Sequence, residues 1–174
     1  SNVTSVGPVT IAPSPPETGQ VTVNGASANG GNITLGAGTL ITTRPTGGVS
    51  GNGGQVYLNA FADSLGNNGS IDFSGSTIQT GAYNGYSSGY VRIWAGNSTG
   101  TAIKTGAIDT TSGSQYVYSG GVEMRTANIT GSSTWNSNGQ LISGGFGYSN
   151  ETTGTIEIAG LVRSTYYINI ESIG

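Results

Sequence analysis

Gly54-Gln55-Val56-Tyr57-Leu58-Asn59-Ala60 opens on glycine and then alternates, with Val56, Leu58 and Ala60 at one parity and Tyr57 and Asn59 at the other. A period of two in side-chain character marks a strand with one buried face. The phrase has further copies at Ile33-Thr34-Leu35-Gly36-Ala37, Val91-Arg92-Ile93-Trp94-Ala95, Val122-Glu123-Met124 and Ile156-Glu157-Ile158, each with glycine close before it. Their first apolar residues fall at 33, 56, 91, 122 and 156, a loose but persistent period. Gly-Asn, Asn-Gly and Gly-Gly pairs punctuate the intervals, and no window places apolar residues at helical spacing.

A second phrase keeps its order after the first: Ile41-Thr42-Thr43, Ile78-Gln79-Thr80-Gly81-Ala82, Ile103-Lys104-Thr105-Gly106-Ala107 and Ile129-Thr130-Gly131. Repeats of some tens of residues built from short strands and glycine turns indicate a solenoid or a propeller. A four-stranded blade takes about 40 residues, so 174 residues make few blades and the solenoid is preferred. The fold expected is all-β, a parallel β-helix or β-solenoid, with a β-sandwich filament subunit as the alternative. Turns of roughly 20 to 30 residues give about six to eight coils and a rod roughly 30 to 40 Å long. Stacked in register, the copies at Val91 and Val122 put Arg92 over Glu123, an ion pair, and Trp94 over Arg125, a cation-π contact.

Composition agrees with a slim core. Only 34% of the residues are hydrophobic and 32 are glycine, which suits many turns around a narrow interior. Disorder is disfavoured, because only 7% of the residues are charged while nine Tyr and two Trp are present. One domain is expected over 21–174, preceded by an extended segment over 1–20 that holds four of the five prolines, Pro8, Pro13, Pro15 and Pro16. Proline cannot donate to a central ladder, so this segment is an edge strand, a linker or an arm. As an arm, Val3, Val6, Val9 and Ile11 are its candidate strand-donating residues.

The residues that carry a family resemblance are Gly51-Asn52-Gly53-Gly54-Gln55-Val56-Tyr57-Leu58-Asn59-Ala60 and Thr101-Ala102-Ile103-Lys104-Thr105-Gly106-Ala107-Ile108-Asp109-Thr110. Over residues 30 to 130 the chain resembles the glycine-rich repeats of filamentous-haemagglutinin-like exoproteins, of the kind found in large cyanobacterial surface proteins. The resemblance implies a right-handed parallel β-helix, exported to the cell surface and used in adhesion or matrix.

Several chemistries are excluded or unsupported. The chain has no His and no Cys, which removes imidazole catalysis, His and thiolate metal sites, and disulfides. Five Lys and Arg residues are scattered singly against eight carboxylates, for a net charge of -3, so no basic stripe exists to bind nucleic acid. No apolar run approaches membrane-spanning length, and the first residues lack a signal-peptide pattern. Polysaccharide hydrolases need clustered carboxylates, for which Asp63, Asp72 and Asp109 are the candidates, with nothing in their spacing to bring them together. The segment Asp63-Ser64-Leu65-Gly66-Asn67-Asn68-Gly69 has too few oxygen ligands for a calcium loop. No catalytic residue, metal or cofactor is assigned.

Function is therefore expected from the exterior. Tyr57, Tyr83, Tyr86, Tyr90, Trp94 and Trp135 are candidates for a sugar-stacking surface, and Tyr57, Trp94, Arg125 and Trp135 for surface contacts. Sequons at Asn2, Asn32, Asn68, Asn97, Asn128 and Asn150 offer N-glycosylation sites on an extracellular face. The end of the chain, Ser164-Thr165-Tyr166-Tyr167-Ile168-Asn169-Ile170-Glu171-Ser172-Ile173, alternates with no polar cap, so either the chain is cut from a longer solenoid or its ends are occupied by neighbours. The expected function is an extracellular structural or adhesive homopolymer joined head to tail, with cell-surface glycans as further partners. The rivals are a carbohydrate- or ice-binding solenoid, for which Thr34, Thr42, Thr43, Thr110 and Thr111 are the outward threonines to consider, and a polysaccharide-degrading enzyme.

Overall fold

The computed structural model describes residues 32–45, 50–60, 69–83, 85–112, 120–127 and 152–173 in full, and the backbone alone of the strands outside them. The described residues contain strands and turns and no helix. Numbered in chain order, the strands fall into three parallel sheets. Sheet A holds β1 (Val3–Ser5), β4 (Ile33–Leu35), β7 (Ile71–Asp72), β10 (Thr101–Thr105) and β16 (Thr155–Ile158). Sheet B holds β2 (Thr10–Ile11), β5 (Leu40–Thr42), β8 (Thr77–Gln79), β11 (Ala107–Thr110) and β17 (Val162–Ser164). Sheet C holds β3 (Val21–Asn24), β6 (Val56–Ala60), β9 (Val91–Ala95), β12 (Val122–Thr130) and β18 (Ile168–Glu171).

The chain visits A, B and C in turn, and each strand pairs in parallel with its counterpart one coil on, as Val56, Leu58 and Ala60 of β6 do with Val91, Ile93 and Ala95 of β9. The architecture is a parallel β-solenoid of five coils. Between the fourth and fifth coils β12 runs on past the sheet and pairs antiparallel with β15 (Gly147–Glu151), while β13 (Thr134–Trp135) and β14 (Leu141–Ser143) form a separate antiparallel pair. The first coils take 35, 35 and 31 residues from one sheet C strand to the next, more than the 20 to 30 expected, and with this insertion the count is five rather than six to eight.

Alternation sets the core. Ile33, Ile71 and Ile103 stack on sheet A, Ile41, Ile78 and Ile108 on sheet B, and Val56, Val91 and Val122 with Leu58, Ile93 and Met124 on sheet C, all essentially without solvent contact. Burying each such side chain contributes about 1.5–3 kcal/mol, and the second, third and fourth coils each supply one from each sheet. Phe73, also fully buried, fills the interior beside sheet A.

Two strands of the extended segment over 1–20, for which an edge strand, a linker or an arm was the expectation, pair with this ladder. Val3 lies in register with Ile33, Ile11 with Ile41, and Val21 with Val56, so β1, β2 and β3 form the first coil. Val6 and Val9 lie outside the described residues.

The corner between sheets B and C shows why glycine recurs there. Thr43, Thr80 and Thr110 donate their hydroxyls to the carbonyls of Gly54 (2.5 Å), Gly89 (2.7 Å) and Gly120 (2.8 Å). A Cβ on Gly89 would sit 1.8 Å from the Gly54 carbonyl oxygen, and one on Gly120 would sit 1.9 Å from that of Gly89. These glycines serve close approach of successive coils rather than the positive φ expected at corners, which is found instead at Gly38, Gly85 and Gly100.

Candidate functional site

Two surfaces hold the residues of interest, the outer face of sheet C and the end formed by the fifth coil. On sheet C, alternation turns Tyr57, Arg92, Glu123 and Asn169 outward in one column and Asn59, Trp94, Arg125 and Glu171 in the next. The expected register is present, since Arg92 is the ladder neighbour of Glu123 and Trp94 that of Arg125. Arg92 lies over rings, 4.4 Å from the centroid of Trp94, 5.1 Å from that of Tyr57 and 5.7 Å from that of Tyr90. Glu123 accepts from the Trp94 indole N–H at 2.9 Å and from the Tyr90 hydroxyl, and the Nε of Arg125 stands 3.6 Å from it. Arg125 also pairs with Glu171 on β18. Residues two apart on one strand share a face, which lets Arg92 reach Trp94 and Arg125 reach Glu123 along the strand as readily as across it.

This network is closed. Trp94 is 4% exposed and Arg125 7%, so the indole offers no open ring for a sugar to stack on. Burial raises the pKa of Tyr57, with the Arg92 charge acting against it. Burial also raises that of Tyr90, reinforced by its bonds to Glu123 and Tyr167. Of the residues expected to make surface contacts, Tyr57, Trp94 and Arg125 come together here, and Trp135 lies on β13 with its side chain outside the described residues. Tyr83 stands apart under the Arg44 guanidinium at 4.2 Å, and Tyr86 is exposed in the turn beside it.

The candidate carboxylates do not share a site. Asp72 is exposed on the outer face of sheet A, the ladder neighbour of Lys104, which in turn pairs with Glu157 at 3.2 Å. Asp109 is on sheet B, where its Oδ1 accepts from the backbone N–H and hydroxyl of Thr111 at 3.0 and 2.6 Å. Burial raises the Asp109 pKa, but the Thr111 bonds and the charges of Arg163 and Arg44 outweigh it and leave the group below its ordinary value. Asp63 lies outside the described residues. Among the described residues no three carboxylates converge as a metal site would require, and none forms a helix able to cross a membrane.

The threonines do not line up outward. Thr34 is exposed on sheet A with Asp72 as its ladder neighbour, Thr42 stacks on Gln79, and Thr43 and Thr110 are buried at the corner. Among the sequons, Asn32 is exposed and its Oδ1 accepts from the Ser70 N–H at 2.9 Å, while that of Asn97 accepts from the Thr99 N–H at 2.9 Å. Asn128 and Asn150 fall on β12 and β15 with side chains outside the described residues, as do Asn2 and Asn68 entirely.

The fifth coil is the second surface. Ile158, Ile168 and Ile170 hold the register positions that are buried in earlier coils, yet they are 46%, 45% and 42% exposed. Leu161, Tyr166 and Ile173 are more exposed still. Among the described residues, the outer edges of β16, β17 and β18 have no neighbouring strand. Comparison with protein-family models, curated proteins and solved structures gave no match to the chain.

Proposed function

We propose that the chain is a non-enzymatic extracellular structural or adhesive protein, a subunit that joins others head to tail in a surface filament or matrix. The observation that carries this reading is the apolar face of the fifth coil, where Ile158, Ile168 and Ile170 meet solvent in columns that are buried in the second, third and fourth coils. Three free parallel edges around an exposed core form a surface that gains stability by being covered. The contact is heterologous, end to opposite end, and such contacts propagate into open assemblies. An extracellular setting is supported by the six sequons and the near absence of charge. The first coil pairs with the second within the chain, so joining by stacked ends is favoured over donation of an amino-terminal strand.

Negative-stain microscopy and sedimentation at high protein concentration test the proposal, comparing the native chain with the double variant Ile168→Lys, Ile170→Lys. Fibres or oligomers from the native chain and monomers from the variant are expected. Isolated particles from both would overturn it.

A further inference from the structure

We propose that Tyr90 and Tyr167 are a site of oxidative modification, joined ring to ring by a one-electron oxidant into a bityrosine that ties the third coil to the fifth. The site lies within one copy and does not depend on the head-to-tail reading above.

The backbone places the two rings. In the column one residue ahead of the sheet C strands, the Tyr90, Gly121 and Tyr167 carbonyls accept from the N–H groups of Val56, Val91 and Val122, each on the coil before. Tyr90 and Tyr167 are therefore two coils apart, about 10 Å along the solenoid, with the position between them held by glycine. A Cβ on Gly121 would stand 2.4 Å from two ring carbons of Tyr167, so the Tyr167 ring lies across the place where a side chain would be. It meets the Tyr90 ring at 6.1 Å between centroids, with the planes at 53°. Rings at that separation are in edge contact.

The surroundings single out Tyr90 as the partner ring. A phenol that loses an electron must also release its proton, and the Tyr90 hydroxyl already donates to the Glu123 carboxylate. Tyr57, 6.4 Å from Tyr90, donates instead to the Gln55 amide oxygen, a far weaker base, and the Arg92 charge lies closer to its ring. Tyr167 is open to an oxidant, being 38% exposed and 5.1 Å from the more exposed Tyr166.

The oxidant takes one electron from each phenol, and the protons pass to Glu123 from Tyr90 and to water from Tyr167. The ring carbons ortho to the two oxygens join, and the hydrogens on those carbons move to the oxygens, which restores both phenols. With a peroxidase as oxidant, one hydrogen peroxide takes up the two electrons and two protons and leaves as two waters. The chain has no cysteine and so no disulfide with which to hold its fifth coil. A carbon-carbon link from residue 90 to residue 167 closes a long loop and opposes opening of that coil.

The native chain is treated with peroxidase and hydrogen peroxide at micromolar dilution. Expected are bityrosine fluorescence, an intact monomer lighter by two hydrogens, and a tryptic cross-link between the peptide ending at Arg92 and the one starting at Ser164. The melting temperature is expected to rise by about 10 °C. Tyr90→Phe and Tyr167→Phe, which keep the rings, are expected to abolish the link, and Tyr57→Phe and Tyr166→Phe to leave it. Glu123→Gln is expected to slow it by about tenfold, and an unchanged rate would remove Glu123 as the proton acceptor. Covalent dimers without the internal link, a link confined to residues 164–174, or the same link formed by Tyr90→Phe would overturn the site. Absence of the cross-linked peptide from protein isolated from its natural source would overturn the modification. None of these outcomes bears on head-to-tail assembly, which the microscopy above decides.

Discussion

Gly85 and Gly89 stand close together and are glycine for opposite reasons. Gly85 has φ +84 with nothing within 4 Å of a Cβ, whereas a Cβ on Gly89 would collide with the Gly54 carbonyl oxygen at 1.8 Å. Gly85→Ala is expected to cost about 1 kcal/mol, the penalty of a left-handed L-residue. Gly89→Ala is expected to cost about 3 kcal/mol or to prevent folding, because backbone cannot yield as a side chain can. Urea denaturation of the two variants decides it, and equal losses would mean the coils are not in tight contact at this corner. A second residue-scale prediction concerns Thr105, whose buried hydroxyl has no hydrogen-bond partner. It occupies the interior of sheet A in register with Ile158. Thr105→Val keeps the shape, removes an unsatisfied polar atom and is expected to raise stability by about 1 kcal/mol. A loss on the same denaturation curve would show that the hydroxyl is satisfied after all. Nothing in the sequence separates these glycines or this threonine from their many neighbours, because the distinction lies in which coil stands beside each.

At the scale of elements, the phrase beginning at Val56 was legible because alternation and burial coincide on sheet C, and Val56, Val91 and Val122 do share a column. Ile33 and Ile156 were grouped with them in sequence but belong to sheet A, and Ile103 belongs to sheet A while Ile41 and Ile78 belong to sheet B. Short apolar strands of different sheets look alike, and only ladder partners tell them apart. A glycine two residues ahead did not separate them, since Gly31 precedes Ile33 and Gly154 precedes Ile156 just as Gly54 precedes Val56. The partners of the outer sheet C side chains were not legible either, since alternation gives the face and not which of two neighbours a long side chain chooses. That network yields a pH prediction. Burial, then the bonds to Glu123 and Tyr167, hold the Tyr90 hydroxyl protonated well above its ordinary value of 10.0. A raised folded-state pKa means stability is complete below pH 10 and is lost as the pH climbs past it, where the unfolded chain releases the proton first. The native chain should therefore weaken above about pH 10, and Tyr90→Phe should be flatter there while about 1 kcal/mol less stable at neutrality for want of the Glu123 bond. Parallel slopes for the two chains above pH 10 would remove Tyr90 as the cause.

For the whole molecule, the five coils form a nearly one-dimensional stack in which each coil is stabilised by the ones beside it. A middle strand such as β9 has both neighbours, β6 and β12, whereas β18 has β12 alone and leaves half of its backbone groups facing the open edge. Its apolar residues are correspondingly exposed, in contrast to the fully buried Val91 and Ile93. Local opening should follow this difference, because its free energy is set by buried apolar contact and by ladder bonds that must break. Hydrogen exchange on the monomer is expected to be fastest in β16, β17 and β18 and slowest in β9, β10 and β11, with the two groups separated by at least tenfold in rate. Assembly through stacked ends gives the fifth coil a second neighbour, so exchange in β16–β18 should slow toward that of the middle coils while β9–β11 change little. Uniform protection along the monomer would contradict the one-dimensional picture. Slowing on assembly confined to the outer face of sheet C would show instead that copies join side by side.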